Sequence, residues 1–148
     1  MDNAESMEDL WAEATFLLEV LVMKAKHLDK DGMDLYFTTG QPGVLKSNKH
    51  TDFAKIMNQD QYKPTVGKRT NMKQIIERLL REYLHNVEGQ GVKNPGLKDL
   101  TIIVLTDGKW EGMADSKDVE TAIKSFDDDW KSVRGKEVKR RPVGKSSG

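Results

Sequence analysis

Leu10, Trp11, Ala14, Leu17, Leu18, Leu21, Val22, Ala25 and Leu28 recur at three- and four-residue spacing, with Glu13, Glu19, Lys24 and Lys26 between them. That spacing predicts an amphipathic helix over 10–28. Phe16 and Val20 widen its apolar surface, so it is expected to pack on more than one side. Ser6 with Asp9 three residues later approximates a capping box at its start. A second strong helix is predicted from Thr70 to about His85, with Met72, Ile75, Ile76, Leu79, Leu80, Tyr83 and Leu84 on one broad face. A third follows Ser116 as its cap, carrying Val119, Ala122, Ile123, Phe126, Trp130 and Val133 on one stripe. A short helix, Asp52 to Asn58, is expected after Thr51, with Phe53, Ile56 and Met57 inward.

Between the helices the pattern changes. Met33 to Thr38 reads as a strand stopped by Gly40-Gln41-Pro42-Gly43, and Val44 to His50 has room for a short edge strand. Thr101 to Thr106 is an almost wholly apolar, β-branched run. Bounded by turn formers, it predicts a strand covered on both faces. Gln59–Arg69 and Gly89–Gly96 read as loops. The order helix, strand, short helix, helix, strand, helix argues for an α/β layered sheet. Met33–Thr38 and Leu100–Thr106 are expected to be neighbouring parallel strands, with helices 10–28 and 70–85 packed on them.

Charge divides the chain. Its 148 residues hold 24 basic and 24 acidic side chains. Residues 1–130 carry 17 basic and 23 acidic, a net of −6, and residues 131–148 carry seven and one, a net of +6. The expectation is one mildly acidic domain over 1–134 and a basic, flexible tail over 135–148. The tail has no aromatic interleaving, so no nucleic acid is expected as a partner. With no cysteine there is no disulfide framework, thiolate nucleophile or Cys-based zinc site. No apolar run is long enough for a membrane span and no secretory signal opens the chain, so a cytoplasmic protein without a membrane partner is expected.

Candidate chemistry gathers where predicted strands feed helices. Asp2 and Ser6 precede the first helix, Thr70 follows Gly67-Lys68-Arg69, and Asp107 ends the apolar run in Thr106-Asp107-Gly108. Ligand sites of open α/β sheets lie beyond the carboxyl ends of strands, and hydroxyls and carboxylates are the hard donors that magnesium or manganese prefers. Each residue also has a plainer reading: Asp2 as a solvated terminus, Ser6 and Thr70 as helix caps. Asp127-Asp128-Asp129 reads as a solvated helix face, and His27, His50 and His85 as surface residues.

These residues resemble a known family. Asp2-Asn3-Ala4-Glu5-Ser6 resembles the Asp-x-Ser-x-Ser motif of von Willebrand factor A domains, with Ala4 in place of the first serine. Gly67-Lys68-Arg69-Thr70-Asn71-Met72 is similar to that family's threonine loop, and Leu105-Thr106-Asp107-Gly108 to its third motif. Asp34-Leu35-Tyr36-Phe37 and Val104 to Trp110 are similar to fungal members. The resemblance runs from Asp2 to about Trp130 and implies a Rossmann-like, doubly wound sheet without the first strand and the closing strands. It also implies a metal-ion-dependent adhesion site in which Ser6, Thr70 and Asp107 hold Mg2+ or Mn2+ weakly and Asp2 supports them. A partner protein's acidic residue would complete the coordination, so the module is not an enzyme. Missing strands would leave sheet edges that invite self-association. Two alternatives stand beside this: a remnant of the fold with a non-functional site, and a magnesium-dependent phosphoryl-transfer enzyme.

Overall fold

The computed structural model describes residues 1–40, 45–91, 98–115 and 117–139. It is a mixture of helix and strand. A 3-10 turn, Glu5–Leu10, leads into α1, Trp11–Ala25. The strands β1, Met33–Leu35, and β2, Leu45–Ser47, follow. Next come α2, His50–Met57, α3, Met72–Gln90, and α4, Lys117–Lys139. Two compact units form: residues 1–72 with 103–114, and residues 73–102 with 115–148 as far as they are described.

In the first unit α1 buries one stripe, Ala14, Leu18 and Val22, at four-residue spacing. Leu18 and Val22 join Leu35, Phe37, Phe53 and Met57 in the core, with Trp11, Tyr62 and Leu105 packed against it. Phe37 stacks on Tyr62 at 4.8 Å between ring centroids, and Trp11 Nε1 donates to the Met57 carbonyl at 3.0 Å, tying α1 to α2. The expected second packing face of α1 is absent, because Phe16 is 65% exposed and Leu17 and Met23 are exposed beside it. The capping box is not formed either. Ala4 is the N-cap of the turn, without a side-chain bond, and Ser6 lies inside it.

The sheet differs from the expectation. β1 and β2 pair antiparallel, Met33 opposite Ser47 and Leu35 opposite Leu45, so the short edge strand within 44–50 does form. Thr101–Thr106 is not a strand, and its Ile103 and Val104 are 48% and 40% exposed. It does not pair directly with Met33–Thr38, because Met1 and Asp2 stand between them. The Met1 amino group donates to the Tyr36 carbonyl at 2.9 Å, and Thr38 N donates to the Met1 carbonyl at 3.1 Å. One residue bonded on either side of Phe37 in this way is the pattern of a parallel pair. Asp2 N points the other way, to the Leu105 carbonyl at 2.9 Å, as alternation along an extended chain requires. Among the described residues the only sheet is the two-stranded one, and no doubly wound sheet is formed.

The second unit is helical. α3 continues past His85 to Gln90, where Gly91 N bonds back to the Val87 carbonyl at 2.8 Å. Tyr83, Phe126 and Trp130 form a ring cluster between α3 and α4 with centroids 5.8–6.4 Å apart. The Arg134 guanidinium lies 5.9 Å from the Trp130 ring centre. α4 runs past Arg134, where the tail was expected to begin, to Lys139. The expected cap Ser116, the stop at 41–43, most of the loop from Gly89 to Gly96 and the rest of the tail lie outside the described residues. No helix among the described residues is long and apolar enough to cross a membrane.

Candidate functional site

The first unit encloses a cluster of hydroxyls around one carboxylate. Asp2, Asn3 and Thr70 have no exposed surface, and Ala4 is 3% exposed. Asp2 Oδ1 accepts from Thr70 Oγ1 at 2.5 Å and from Ala4 N at 3.1 Å, and Thr38 Oγ1 lies 3.2 Å from it. Asp2 Oδ2 accepts from Thr106 Oγ1 at 2.7 Å. A buried carboxylate is tolerated when donors surround it in this way. The solvated-terminus reading of Asp2 is therefore set aside.

Each wall of the cluster is fixed by its own bonds. Asn3 Oδ1 accepts from Thr39 N and Thr39 Oγ1, each at 2.9 Å, while Asn3 Nδ2 donates to the Tyr62 carbonyl at 3.0 Å. The threonine loop is clamped to the chain start twice. Glu5 N donates to the Lys68 carbonyl at 2.9 Å, and Glu5 Oε2 accepts from Gly67 N at 2.9 Å. Lys68 Nζ closes the loop on itself by donating to the carbonyls of Lys63 and Gln61 at 2.8 and 3.1 Å. Desolvation of Lys68 lowers the pKa of its ammonium. Gly112 N bonds the Thr70 carbonyl at 2.9 Å, and a β-carbon on Gly112 would stand 2.7 Å from that carbonyl group. Only glycine permits this approach. Burial also pushes the Met1 amino group down to about 6, against the raising pull of the Asp2 charge.

The four expected site residues are brought together unequally. Asp2 and Thr70 bond directly. Asp107 follows Thr106, whose hydroxyl also accepts from Gly108 N and from Trp110 Nε1, each at 3.0 Å. Asp107 Oδ1 accepts from Lys109 N at 2.9 Å. Its Oδ2, and the hydroxyl of Ser6, are buried with no hydrogen-bond partner. Ser6 therefore does not act as a cap, and the Thr70 hydroxyl, bonded to Asp2, lies two residues before α3 begins. Sequence reasoning passed over Thr38, Asn3, Thr106 as a donor, and Gly112. Thr106 alone carried a signal, as the polar end of an apolar run beside Asp107.

This is an oxygen-only arrangement, and among the described residues no group of three or more His, Cys, Asp or Glu side chains assembles. Orphaned buried oxygens on Ser6 and Asp107 suit a hard cation, which accepts hydroxyl, carboxylate and water ligands together. Asp127, Asp128 and Asp129 are exposed on α4, as are His27, His50 and His85 elsewhere. Comparison with protein-family models, with curated proteins and with solved structures finds no match.

Proposed function

We propose that this chain is a protein-interaction module of von Willebrand factor A type that binds a partner's carboxylate through Mg2+ or Mn2+. Ser6, Thr70 and Asp107 would hold the ion, and Asp2 would support them by ordering the hydroxyls. The observation that carries the reading is the pair of buried, unpartnered oxygens, Ser6 Oγ and Asp107 Oδ2. An unsatisfied buried oxygen costs about 1–3 kcal/mol, and a divalent cation would relieve both. The parallel bonding of Met1 beside Phe37, with Asp2 bonded to Leu105 on its other side, supports the finer fold reading. On that reading, Met1 and Asp2 would lie on a strand between Tyr36–Thr38 and Leu105. A bound ion supplies the positive charge that an acidic side chain of the partner would seek.

A second reading also has an observation behind it. Asp2 gives its acceptor capacity to Thr70, Thr106 and the Ala4 N–H, as a purely structural staple would. Titration with Mn2+, followed by calorimetry or by the free-ion electron paramagnetic resonance signal, separates the two. The module should bind Mn2+ weakly, and Asp107→Ala should abolish binding. Ala4→Ser returns a hydroxyl to the first motif and should tighten binding at least about tenfold, or ~1.4 kcal/mol. Affinities unchanged in both variants would remove the cation site and leave the staple.

A further inference from the structure

Thr38 is the most connected hydroxyl of the buried cluster. Its oxygen accepts from Asn3 N at 3.2 Å and lies 2.9 Å from Thr70 Oγ1, 3.2 Å from Asp2 Oδ1 and 3.3 Å from Asn3 Oδ1. A threonine hydroxyl has one proton and two lone pairs. The proton of Thr70 is committed to Asp2 Oδ1 by the 2.5 Å contact. The proton between Thr38 and Thr70 therefore comes from Thr38, whose nearest acceptor is Thr70. The bonds run in one direction, from Asn3 N–H to Thr38, from Thr38 to Thr70, and from Thr70 to Asp2.

We infer that Thr38 is a positioning residue of the cation site, acting through Thr70. This rests on the proposed cation reading. With its proton on Asp2 and one lone pair occupied by Thr38, Thr70 keeps a single lone pair in a fixed direction for the ion. Without the Thr38 hydroxyl, Thr70 Oγ1 would be held by its Asp2 bond alone, and its side chain could rock about χ1, so that no single lone-pair direction would be held. Position 4 carries no hydroxyl, so the site depends on Thr70 more heavily than one with serine there would. Thr39 is the natural control. Its hydroxyl also donates to Asn3 Oδ1, at 2.9 Å, but does not bond Thr70.

The experiment is Mn2+ titration of the full chain beside Thr38→Val, Thr38→Ser, Thr39→Val and Asp107→Ala, with urea unfolding of each. Thr38→Val should weaken Mn2+ binding about 10–100-fold, while Thr38→Ser and Thr39→Val keep near-wild-type affinity even where stability falls. Should valine prevent folding, Thr38→Ala gives the same reading. If Thr38→Val loses stability but binds Mn2+ as wild type does, or if Thr39→Val weakens binding equally, Thr38 only holds the fold and the inference is overturned. If neither the wild type nor Asp107→Ala binds Mn2+, the cation site itself fails, and the role of Thr38 in it fails too.

Discussion

The two units are held by different kinds of interaction. In the first, Asp2 reaches Thr38, Thr70 and Thr106, partners 36, 68 and 104 residues away, and every atom of the carboxylate is buried. In the second, ion pairs lie four residues apart along a helix, among them Glu120 with Lys124 at 2.7 Å and Asp127 with Lys131, and these four side chains are more than half exposed. Tyr83 adds two aromatic contacts between its helices, to Phe126 and to Trp130. Local pairs on a helix can be lost singly with little consequence, because each is screened by water. A buried acceptor shared by donors far apart in the chain cannot, because removing it orphans all of them at once.

The largest test of that contrast is Asp2→Ala against Lys131→Ala. Asp2→Ala leaves the hydroxyls of Thr70 and Thr106 and the Ala4 N–H without their buried acceptor. It should destabilise the first unit by on the order of 4 kcal/mol, read as a fall in the urea midpoint. Lys131→Ala should leave the midpoint within error. Equal effects would mean that the buried cluster contributes no more than a surface ion pair.

The same contrast explains what was legible in the sequence. The helices were, because their apolar positions repeat at short range: the buried residues Ala14, Leu18, Val22, Ile76, Leu80 and Ala122 all belong to predicted faces. The strand at Thr101–Thr106 was not, because an apolar β-branched run makes a strand only where a neighbour offers bonds along its length. Here the neighbour is Asp2, which bonds the run at the Leu105 carbonyl. Asp2 and Thr70 were singled out through motif positions, and they meet in the buried cluster. Thr38 and Asn3 were not, since their importance comes from where distant backbone segments bring them. Gly112 gave no local sign either, because the group that excludes a side chain there is the Thr70 carbonyl.

A smaller effect probes the entry of the chain into the first unit. The Met1 amino group is lowered from its ordinary 8.0 to about 6, chiefly by burial. In the unfolded chain it takes up a proton as pH falls through 8, whereas in the folded chain it does so only near 6. The folded state thus binds fewer protons between these values, and stability rises as pH rises from 6 to 8. Above 8 both states are neutral and the penalty is gone, while below 6 it is fully present, on the order of 2 kcal/mol. Nα-acetylation removes the titrating group, so the acetylated chain should lose this part of the pH dependence and keep the rest. Identical pH profiles with and without the acetyl group would show that the amino group is solvated in the folded state.

The smallest expected change in stability is also the one whose sign is informative. Ser6 lies within the 3-10 turn, its hydroxyl buried and unpartnered. Taking an unsatisfied buried hydroxyl away removes a desolvation cost, so Ser6→Ala should leave the metal-free protein unchanged or stabilise it by up to ~1 kcal/mol. Alanine is also the better residue for a helical turn. The same substitution removes a proposed ligand, so Mn2+ affinity should fall while stability holds or rises. Asp2→Ala behaves oppositely, since it damages the fold before any ion is added. Unfolding Ser6→Ala and the wild type with and without Mn2+ resolves the pair. Stabilisation by Mn2+ in the wild type, absent in Ser6→Ala, marks Ser6 as held in place for a ligand. A loss of stability in metal-free Ser6→Ala would instead show that the hydroxyl is satisfied within the folded chain, and Ser6 would leave the site.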